Sequence, residues 1–166
     1  MTTVTLQGNS VDIIGDLPAV GSAAPDFKLT AADLADKTLA DYAGRKILMN
    51  IVPSLDTPTC AVSTRKFNES AAAMDNVSCL VISADLPFAS SRFCSTEGLE
   101  NVETLSLMRD KFFAKDYGVL ITTGVLQGLT TRAVVVIDEN GQVTYTQLVP
   151  EIADEPDYDA ALAALK

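Results

Sequence analysis

The sequence predicts an α/β fold with a mixed central sheet, helices on both faces of that sheet and a β-hairpin at the N-terminus. Two apolar runs, 46–52 and 77–83, lack polar–apolar alternation, as is typical of strands that are covered on both faces. Each run is followed by a segment with helical signals, and strands joined through helices pair in parallel. Two later apolar runs flank Asn140-Gly141, which predicts a hairpin and so adds antiparallel strands.

The first half of the chain begins with the N-terminal hairpin, in which 4–6 and 11–14 flank the turn pair Gly8-Asn9. After it, the sequence predicts a proline- and glycine-rich irregular segment at 17–25, and then a short extended piece and a turn around Phe27, Leu29 and Leu34. The strand at 46–52 follows and is ended by Pro53. A loop at 54–59 then leads to a helix at 59–75.

The second half predicts, in order, the strand at 77–83, a short helix capped by Asp85 and closed by Gly98, a helix at 105–117 stopped by Gly118, strands at 132–138 and 142–149, and a final helix at 157–165. This order of elements is the outline of a thioredoxin-like fold. The 166 residues contain no repeat, linker or low-complexity segment, so we expect a single domain over 1–166.

Charge and hydropathy exclude several classes of function. The chain has 12 basic and 22 acidic residues, a net charge of −10, which disfavours binding to nucleic acid or to anionic membranes. No apolar run approaches the roughly 20 residues of a membrane-spanning helix. The N-terminus has neither the basic start nor the apolar stretch of a signal peptide, and we expect a cytoplasmic protein.

Histidine is absent from the sequence, and there are three cysteines, Cys60, Cys79 and Cys94. The absence of histidine excludes Cys-His and Ser-His catalytic pairs, histidine-ligated haem and most zinc sites. Three cysteines cannot all pair within one chain, which argues against a disulfide scaffold. Cys79 lies within an apolar strand, and we expect it to be an inert core residue.

The segment from Pro53 to Cys60 is the strongest candidate for a catalytic site. A buried strand delivers this loop to the carboxyl edge of the sheet, where open α/β folds bind ligands. Because the helix begins near Thr59, Cys60 lies in its first turn, where unpaired N–H groups and the helix dipole favour a thiolate, the nucleophilic form of cysteine. The alternative is that Cys60 is a small apolar residue packed at a helix start.

The chain resembles the peroxiredoxins. Pro53, Thr57 and Cys60 reproduce their Pro-x-x-x-Thr-x-x-Cys signature, and the pattern from Val4 to Lys166 is similar to the bacterial thiol peroxidases, the atypical two-cysteine group. The stretches that support the resemblance are 83–89, 91–94, 133–138 and 155–158.

The resemblance implies a role for each of five residues. Cys60 would attack a hydroperoxide and become a sulfenic acid, and Cys94 would resolve it as a Cys60–Cys94 disulfide. Thr57 would hold thiolate and peroxide in line, Pro53 would limit water, and Arg132 would favour the thiolate and the leaving oxygen. Both cysteines are predicted on helices, so we expect one or both helices to unwind locally during turnover.

Taken without the resemblance, the same residues have simpler interpretations. Thr57 fits an ordinary loop residue, Pro53 a strand terminator, Cys94 a buried thiol and Arg132 one half of a surface ion pair. Two other arginines, Arg65 and Arg109, compete with Arg132 as the cation of the site.

The implied reaction is the thiol-dependent reduction of hydrogen peroxide and organic hydroperoxides, in antioxidant defence. The resemblance also implies thioredoxin as the reductant, a homodimer as the assembly, and no need for a metal, haem, nucleotide or other cofactor. Leu55, Leu120, Ile121 and Leu126 are candidates to line an alkyl hydroperoxide site, or else are ordinary core. Three alternatives remain. A disulfide oxidoreductase is disfavoured because the sequence has no Cys-x-x-Cys, and a glutathione peroxidase analogue is disfavoured because the sequence has no tryptophan. The third alternative is a binding module with unreactive cysteines.

Overall fold

Two sheets carry the fold in the computed structural model, which describes residues 2–166. The strands are β1 (Thr2–Leu6), β2 (Asn9–Ile14), β3 (Lys28–Ala31), β4 (Asp36–Thr38), β5 (Lys46–Ile51), β6 (Val77–Ser83), β7 (Glu103–Ser106), β8 (Leu120–Ile121), β9 (Ala133–Ile137) and β10 (Val143–Leu148). The helices are α1 (Pro58–Ala72), α2 (Pro87–Glu97), α3 (Phe113–Asp116) and α4 (Tyr158–Ala163), with a 3₁₀ turn at Leu39–Tyr42.

The main sheet is mixed, as the sequence predicts. Its seven strands lie in the order β10-β9-β5-β6-β7-β3-β4. The pairs β5–β6 and β6–β7 are parallel, whereas β9 runs antiparallel to both β5 and β10. The apolar β5 and β6 lie in the middle of the sheet, so the absence of alternation in their sequences is explained by cover on both faces.

Helices cover both faces of this sheet. Ile47 and Met49 of β5 face a core that includes Phe113 of α3. Leu48 faces the opposite core, where it packs with Phe67 of α1 and Ala161 of α4. Alternate residues of a strand point to opposite faces, so one strand contributes to both cores. The predicted α/β fold of thioredoxin-like type is therefore confirmed.

The N-terminal hairpin is also confirmed, with one change in its turn. β1 and β2 pair antiparallel and extend to β8 in a separate three-stranded sheet. The turn residues are Gln7 and Gly8, with φ of 50° and 81°, rather than Gly8-Asn9. A tight hairpin turn of this kind requires positive φ at both central positions.

The predicted helix at 105–117 is wrong. Leu105 lies in β7, which pairs in parallel with β6, and it is buried in the sheet. Only Phe113–Asp116 is helical, and the Asp110 carboxylate accepts the N–H of Phe113 (2.9 Å) at its start. The predicted stop at Gly118 is confirmed, with φ of 64°. The spacing of the leucines in this segment fits a helix and a strand equally well, and pairing with β6 stabilises the strand.

Other elements agree closely with the sequence. β6 has the predicted bounds, and α1 and α4 begin and end within about three residues of theirs, an ordinary uncertainty for helix ends. The short strands β4 and β8 were not predicted. Within residues 2–166, no helix has both the length and the apolar character needed to cross a membrane.

Candidate active site

The start of α1 holds Cys60 in a buried position. β5 ends at Ile51, the buried Pro53 follows it, and a loop leads to Thr57, whose extended backbone (φ −117°, ψ 150°) makes it the N-cap of α1. Pro58 is the first helical residue, where its fixed φ suits a helix start and its missing N–H is not needed. Cys60 is therefore in the first turn, and its exposed fraction is 0%.

Arg132 lies directly against the Cys60 sulfur. Its Nη2 donates to Cys60 Sγ at 3.2 Å, and its Nε donates to the Ile152 carbonyl at 2.9 Å. The side chain is 2% exposed, and Nη1 has no hydrogen-bond partner among residues 2–166. A guanidinium is always charged in proteins, so this contact places a permanent positive charge and an N–H donor at the Cys60 sulfur.

Sheet topology explains why Arg132 reaches the start of α1. β9 runs antiparallel to β5, and Ala133 pairs with Ile51, so the beginning of β9 lies beside the end of β5. The two competing arginines lie elsewhere: Arg65 pairs with Glu97 at 3.2 Å, and Arg109 is bound to Asp36 at 2.9 Å. The structure thus brings Arg132, and neither competitor, to Cys60.

Thr57 and Pro53 lie on the loop that precedes Cys60. The Thr57 hydroxyl donates to the Ser54 carbonyl at 2.9 Å, and it forms no hydrogen bond to Cys60 Sγ in the described structure. Since its proton is used in this bond, the Thr57 oxygen remains able to accept a hydrogen bond from a ligand. Pro53 is buried, next to Val52, which packs in the same apolar cluster as Cys60.

Asp85 is the site-region residue that sequence reasoning assigned wrongly. The N-cap of α2 is Leu86, not Asp85, and it makes no side-chain capping bond. The Asp85 carboxylate instead accepts the Ser54 hydroxyl and the Leu55 N–H, each at 2.8 Å. The sequence signal that could have indicated this role is an aspartate at the end of one parallel strand, beside the loop that follows the neighbouring strand.

Cys94 lies on the last turn of α2 and is half-buried. Its carbonyl accepts the N–H of Leu99 at 3.0 Å, in the αL termination centred on Gly98 (φ 66°). The preceding residue, Phe93, packs against the cluster that contains Cys60. Successive helical residues point about 100° apart, and Cys94 lines a different cavity from the one that Phe93 lines. Burial raises the pKa of the Cys94 thiol.

Two cavities adjoin the two faces of α2. One, of about 670 Å³, is lined by the loop from Leu55 to Pro58 and by Phe93. The other, of about 780 Å³, is lined by Cys94 together with Tyr42 and residues of β7. All three cysteines are free thiols. Cys94 therefore borders one of these cavities, and the loop that precedes Cys60 borders the other.

Cys79 is a core residue of β6. It is 3% exposed, and burial raises its pKa to about 12. At neutral pH such a thiol is protonated and unreactive.

Among the candidates to line an alkyl hydroperoxide site, Leu55 packs in the same cluster as Cys60. Ile121 and Leu126 pack in a separate cluster under the N-terminal hairpin, and Leu120 packs against the core of the main sheet.

Comparisons with known proteins agree with this arrangement. A model of the Redoxin family matches residues 19–162. Two curated proteins called thiol peroxidase, from Mycobacterium bovis and Mycobacterium tuberculosis, are each 53% identical to the chain over 165 residues, which is 99% of this chain and 99% of theirs.

Solved structures give the same result. A peroxiredoxin-like protein from Aquifex aeolicus matches with a TM-score of 0.93 and 43% identity, over 99% of this chain and 96% of that one. A thiol peroxidase from Chromobacterium violaceum matches with a TM-score of 0.91 and 28% identity, over 98% of this chain and 94% of that one.

Proposed function

The chain belongs to the Redoxin family and is a peroxiredoxin-type peroxidase, and we propose that Cys60 is the residue that the hydroperoxide oxidises. The observation that carries this proposal is the 3.2 Å contact between Arg132 Nη2 and Cys60 Sγ at a buried helix start. Cys79 is protonated in the core and Cys94 is half-buried with a raised pKa, so neither matches Cys60 as a nucleophile.

The first chemical step transfers one oxygen to sulfur. The Cys60 thiolate attacks the terminal oxygen of the hydroperoxide, the S–O bond forms as the O–O bond breaks, and sulfur is oxidised to a sulfenic acid. The other oxygen leaves with the bonding electron pair and takes a proton, giving an alcohol or water. No group within residues 2–166 accepts a hydrogen bond from Arg132 Nη1, which supports a role of this nitrogen in stabilising the charge that develops on that oxygen.

Thr57 and Pro53 shape the site around this step. The Thr57 hydroxyl is committed as a donor to Ser54, so its oxygen is suited to accept the O–H of the hydroperoxide and to hold the peroxide in line with sulfur. The buried Pro53 contributes no N–H group and limits the access of water.

The second step is resolution by Cys94. Its thiol attacks the Cys60 sulfur, the S–S bond forms, and the sulfenic oxygen leaves as water. A disulfide needs Cα atoms within about 7 Å, whereas Cys94 is absent from the apolar cluster around Cys60 and lines a different cavity from the loop that precedes it. Resolution therefore requires local unwinding. When unwinding exposes Cys94, the burial that raises its pKa is lost, which favours its reactive thiolate.

α2 is the better candidate for unwinding. Only Pro87 and Ser90 of its eleven residues are buried, whereas α1 buries five of its fifteen residues. Elements with few buried contacts open at low free-energy cost. Hydrogen exchange on the reduced and oxidised enzyme tests this: we expect protection to fall in the last turn of α2 after oxidation, and equal protection at both cysteines in the two forms would contradict it.

The enzyme needs a peroxide and a thiol reductant, and we propose thioredoxin as that reductant. Its two thiols would be oxidised to a disulfide as the Cys60–Cys94 disulfide is reduced.

We also propose a homodimer, because Leu86, Phe88 and Met108 expose apolar surface near the Cys60 loop. We also propose a cytoplasmic location, where thiols are kept reduced and a thiol-recycled peroxidase would act in antioxidant defence.

Peroxide consumption with a thiol reductant tests the assignment. We expect Cys60→Ser to abolish turnover and Cys94→Ser to stop recycling by thioredoxin while Cys60 is still oxidised. Cys79→Ala is the matched control, since it removes the buried thiol of β6 and should leave peroxide consumption unchanged. Full activity of Cys60→Ser would show that the assignment is wrong.

A further inference from the structure

The Asp85 carboxylate joins the Cys60 loop to the end of β6. Its Oδ1 accepts the Ser54 hydroxyl, and its Oδ2 accepts the Leu55 N–H, each at 2.8 Å. Oδ2 also accepts the hydroxyl of Ser83, the last residue of β6, at 2.8 Å. Three donors thus converge on one half-buried carboxylate, and hydrogen bonds to a charged acceptor are about twice as strong as neutral ones.

The backbone of Asp85 is held as well. The Ser106 hydroxyl, at the end of β7, donates to the Asp85 carbonyl at 2.6 Å and accepts the Met108 N–H at 3.1 Å. Asp85 is therefore fixed to the ends of two neighbouring parallel strands. A carboxylate fixed in this way is a rigid anchor for the more irregular loop between β5 and α1.

The residues that Asp85 holds are linked in turn to the reactive sulfur. The carbonyl of Ser54 accepts the Thr57 hydroxyl at 2.9 Å. The side chain of Leu55, 2% exposed, packs in one cluster with Cys60. The position of the loop at Ser54 and Leu55 therefore determines both where the Thr57 oxygen lies and how closely the Cys60 thiol is enclosed.

We propose that Asp85 is a positioning residue of the peroxidase reaction, which holds the Cys60 loop closed for peroxide attack and opposes the unwinding that resolution requires. The proposal rests on the roles proposed above for Cys60 and Cys94. Asp85 lies two residues before Pro87, where α2 begins, so Asp85 connects the loop that precedes α1 to the helix that carries Cys94. No covalent step takes place at Asp85.

The proposal predicts that the two chemical steps respond differently to loss of the Asp85 carboxylate. In Asp85→Asn the charge is lost and the amide keeps one acceptor oxygen, where the carboxylate has two that accept from Ser54, Leu55 and Ser83. A loosened loop should slow oxidation of Cys60 by about tenfold, because the closed geometry is less populated. It should leave disulfide formation as fast as before or faster, so that less sulfenic acid meets a second peroxide and over-oxidation per turnover falls.

Both rates are measured with variants of the full chain. Oxidation of Cys60 is followed in the Cys94→Ser background by rapid quenching and mass spectrometry, and disulfide formation is followed with Cys94 present. Asp75→Asn is the matched control: it removes the same charge from an exposed turn after α1 and should change neither rate. Ser54→Ala, which removes one of the three donors, should give a smaller shift in the direction of Asp85→Asn.

The outcomes separate this proposal from the function on which it rests. If Cys60 of the parent enzyme is not oxidised, the proposed function fails, whatever Asp85 does. If the parent reacts and Asp85→Asn slows both steps equally, or changes neither, Asp85 is not a positioning residue. Where Asp85→Asn does not fold, Ser54→Ala decides: an unchanged ratio of the two rates overturns the proposal, and a raised ratio of resolution to oxidation supports it.

Discussion

Replacing Arg132 with methionine removes the cation from the sulfur while keeping an unbranched, buried side chain. Arg132 is 2% exposed, donates to Cys60 Sγ at 3.2 Å and donates to the Ile152 carbonyl at 2.9 Å. The variant therefore loses the contact with sulfur and leaves one buried carbonyl without its donor. The first loss should reduce the rate of Cys60 oxidation, and the second should reduce the stability of the fold.

The magnitudes follow from the geometry. Two unit charges about 4 Å apart attract by about 4 kcal/mol at an effective dielectric constant of about 20. Desolvation of the guanidinium offsets part of this, and removing one preorganised donor from an anionic transition state typically costs about 3–4 kcal/mol. We therefore expect oxidation of Cys60 to slow by about 10²- to 10³-fold. The unpaired Ile152 carbonyl should lower the free energy of unfolding by about 1–3 kcal/mol.

The assay is single-turnover oxidation of Cys60 in the Cys94→Ser background with excess hydroperoxide, quenched and read by mass. Arg109→Met is the matched control, because this exposed arginine binds Asp36 away from the site. A rate for Arg132→Met within about threefold of the parent, a difference below about 0.7 kcal/mol, would refute the reasoning.

Three further predictions test other parts of the structure. Thr57→Val should slow Cys60 oxidation by about tenfold or more and lower the free energy of unfolding by only about 1 kcal/mol, because the hydroxyl makes no capping bond and its one hydrogen bond is to the Ser54 carbonyl; a normal rate would show that Thr57 takes no part in oxidation. Hydrogen bonds from Thr5 and from the backbone lower the pKa of Glu151 from 4.5 to about 2, so its stabilising contribution is full above pH 4.5 and lost as the pH falls toward 2. Denaturation of Glu151→Gln and the parent should therefore show a stability difference that shrinks below pH 4.5, and a difference independent of pH would contradict this account. Gly118→Ala should destabilise the fold strongly, since φ is +64° and a Cβ would lie 2.2 Å from the Asp16 backbone; a melting temperature equal to that of the parent would show that this contact relaxes freely.

The sequence predicted the elements whose patterns are set locally or by complete burial. The apolar run at 77–83 coincides with β6, and the Pro53-to-Cys60 segment lies, as expected, between a buried strand and a helix start. The segment at 105–117 was misassigned because its leucines fit either period, and parallel pairing with β6 is a contact distant in sequence. Local patterns do not carry that information.

The candidate site was predictable to a similar degree. The contact between Arg132 and Cys60 depends on the antiparallel pairing of β9 with β5, and it was selected by the resemblance rather than by spacing. The role of Asp85 was missed, because an aspartate before a helical proline has the same local signature whether it caps that helix or binds a neighbouring loop. Only the positions of Ser54 and Leu55 in space distinguish the two.

The most direct test of the central claim is intact mass with peptide mapping of reduced protein given one equivalent of hydroperoxide, for wild type and Cys94→Ser together. We predict that wild type loses two hydrogens and yields a peptide in which Cys60 is joined to Cys94, while Cys94→Ser gains one oxygen on Cys60. A free Cys60 thiol in both proteins after treatment would contradict the proposed mechanism.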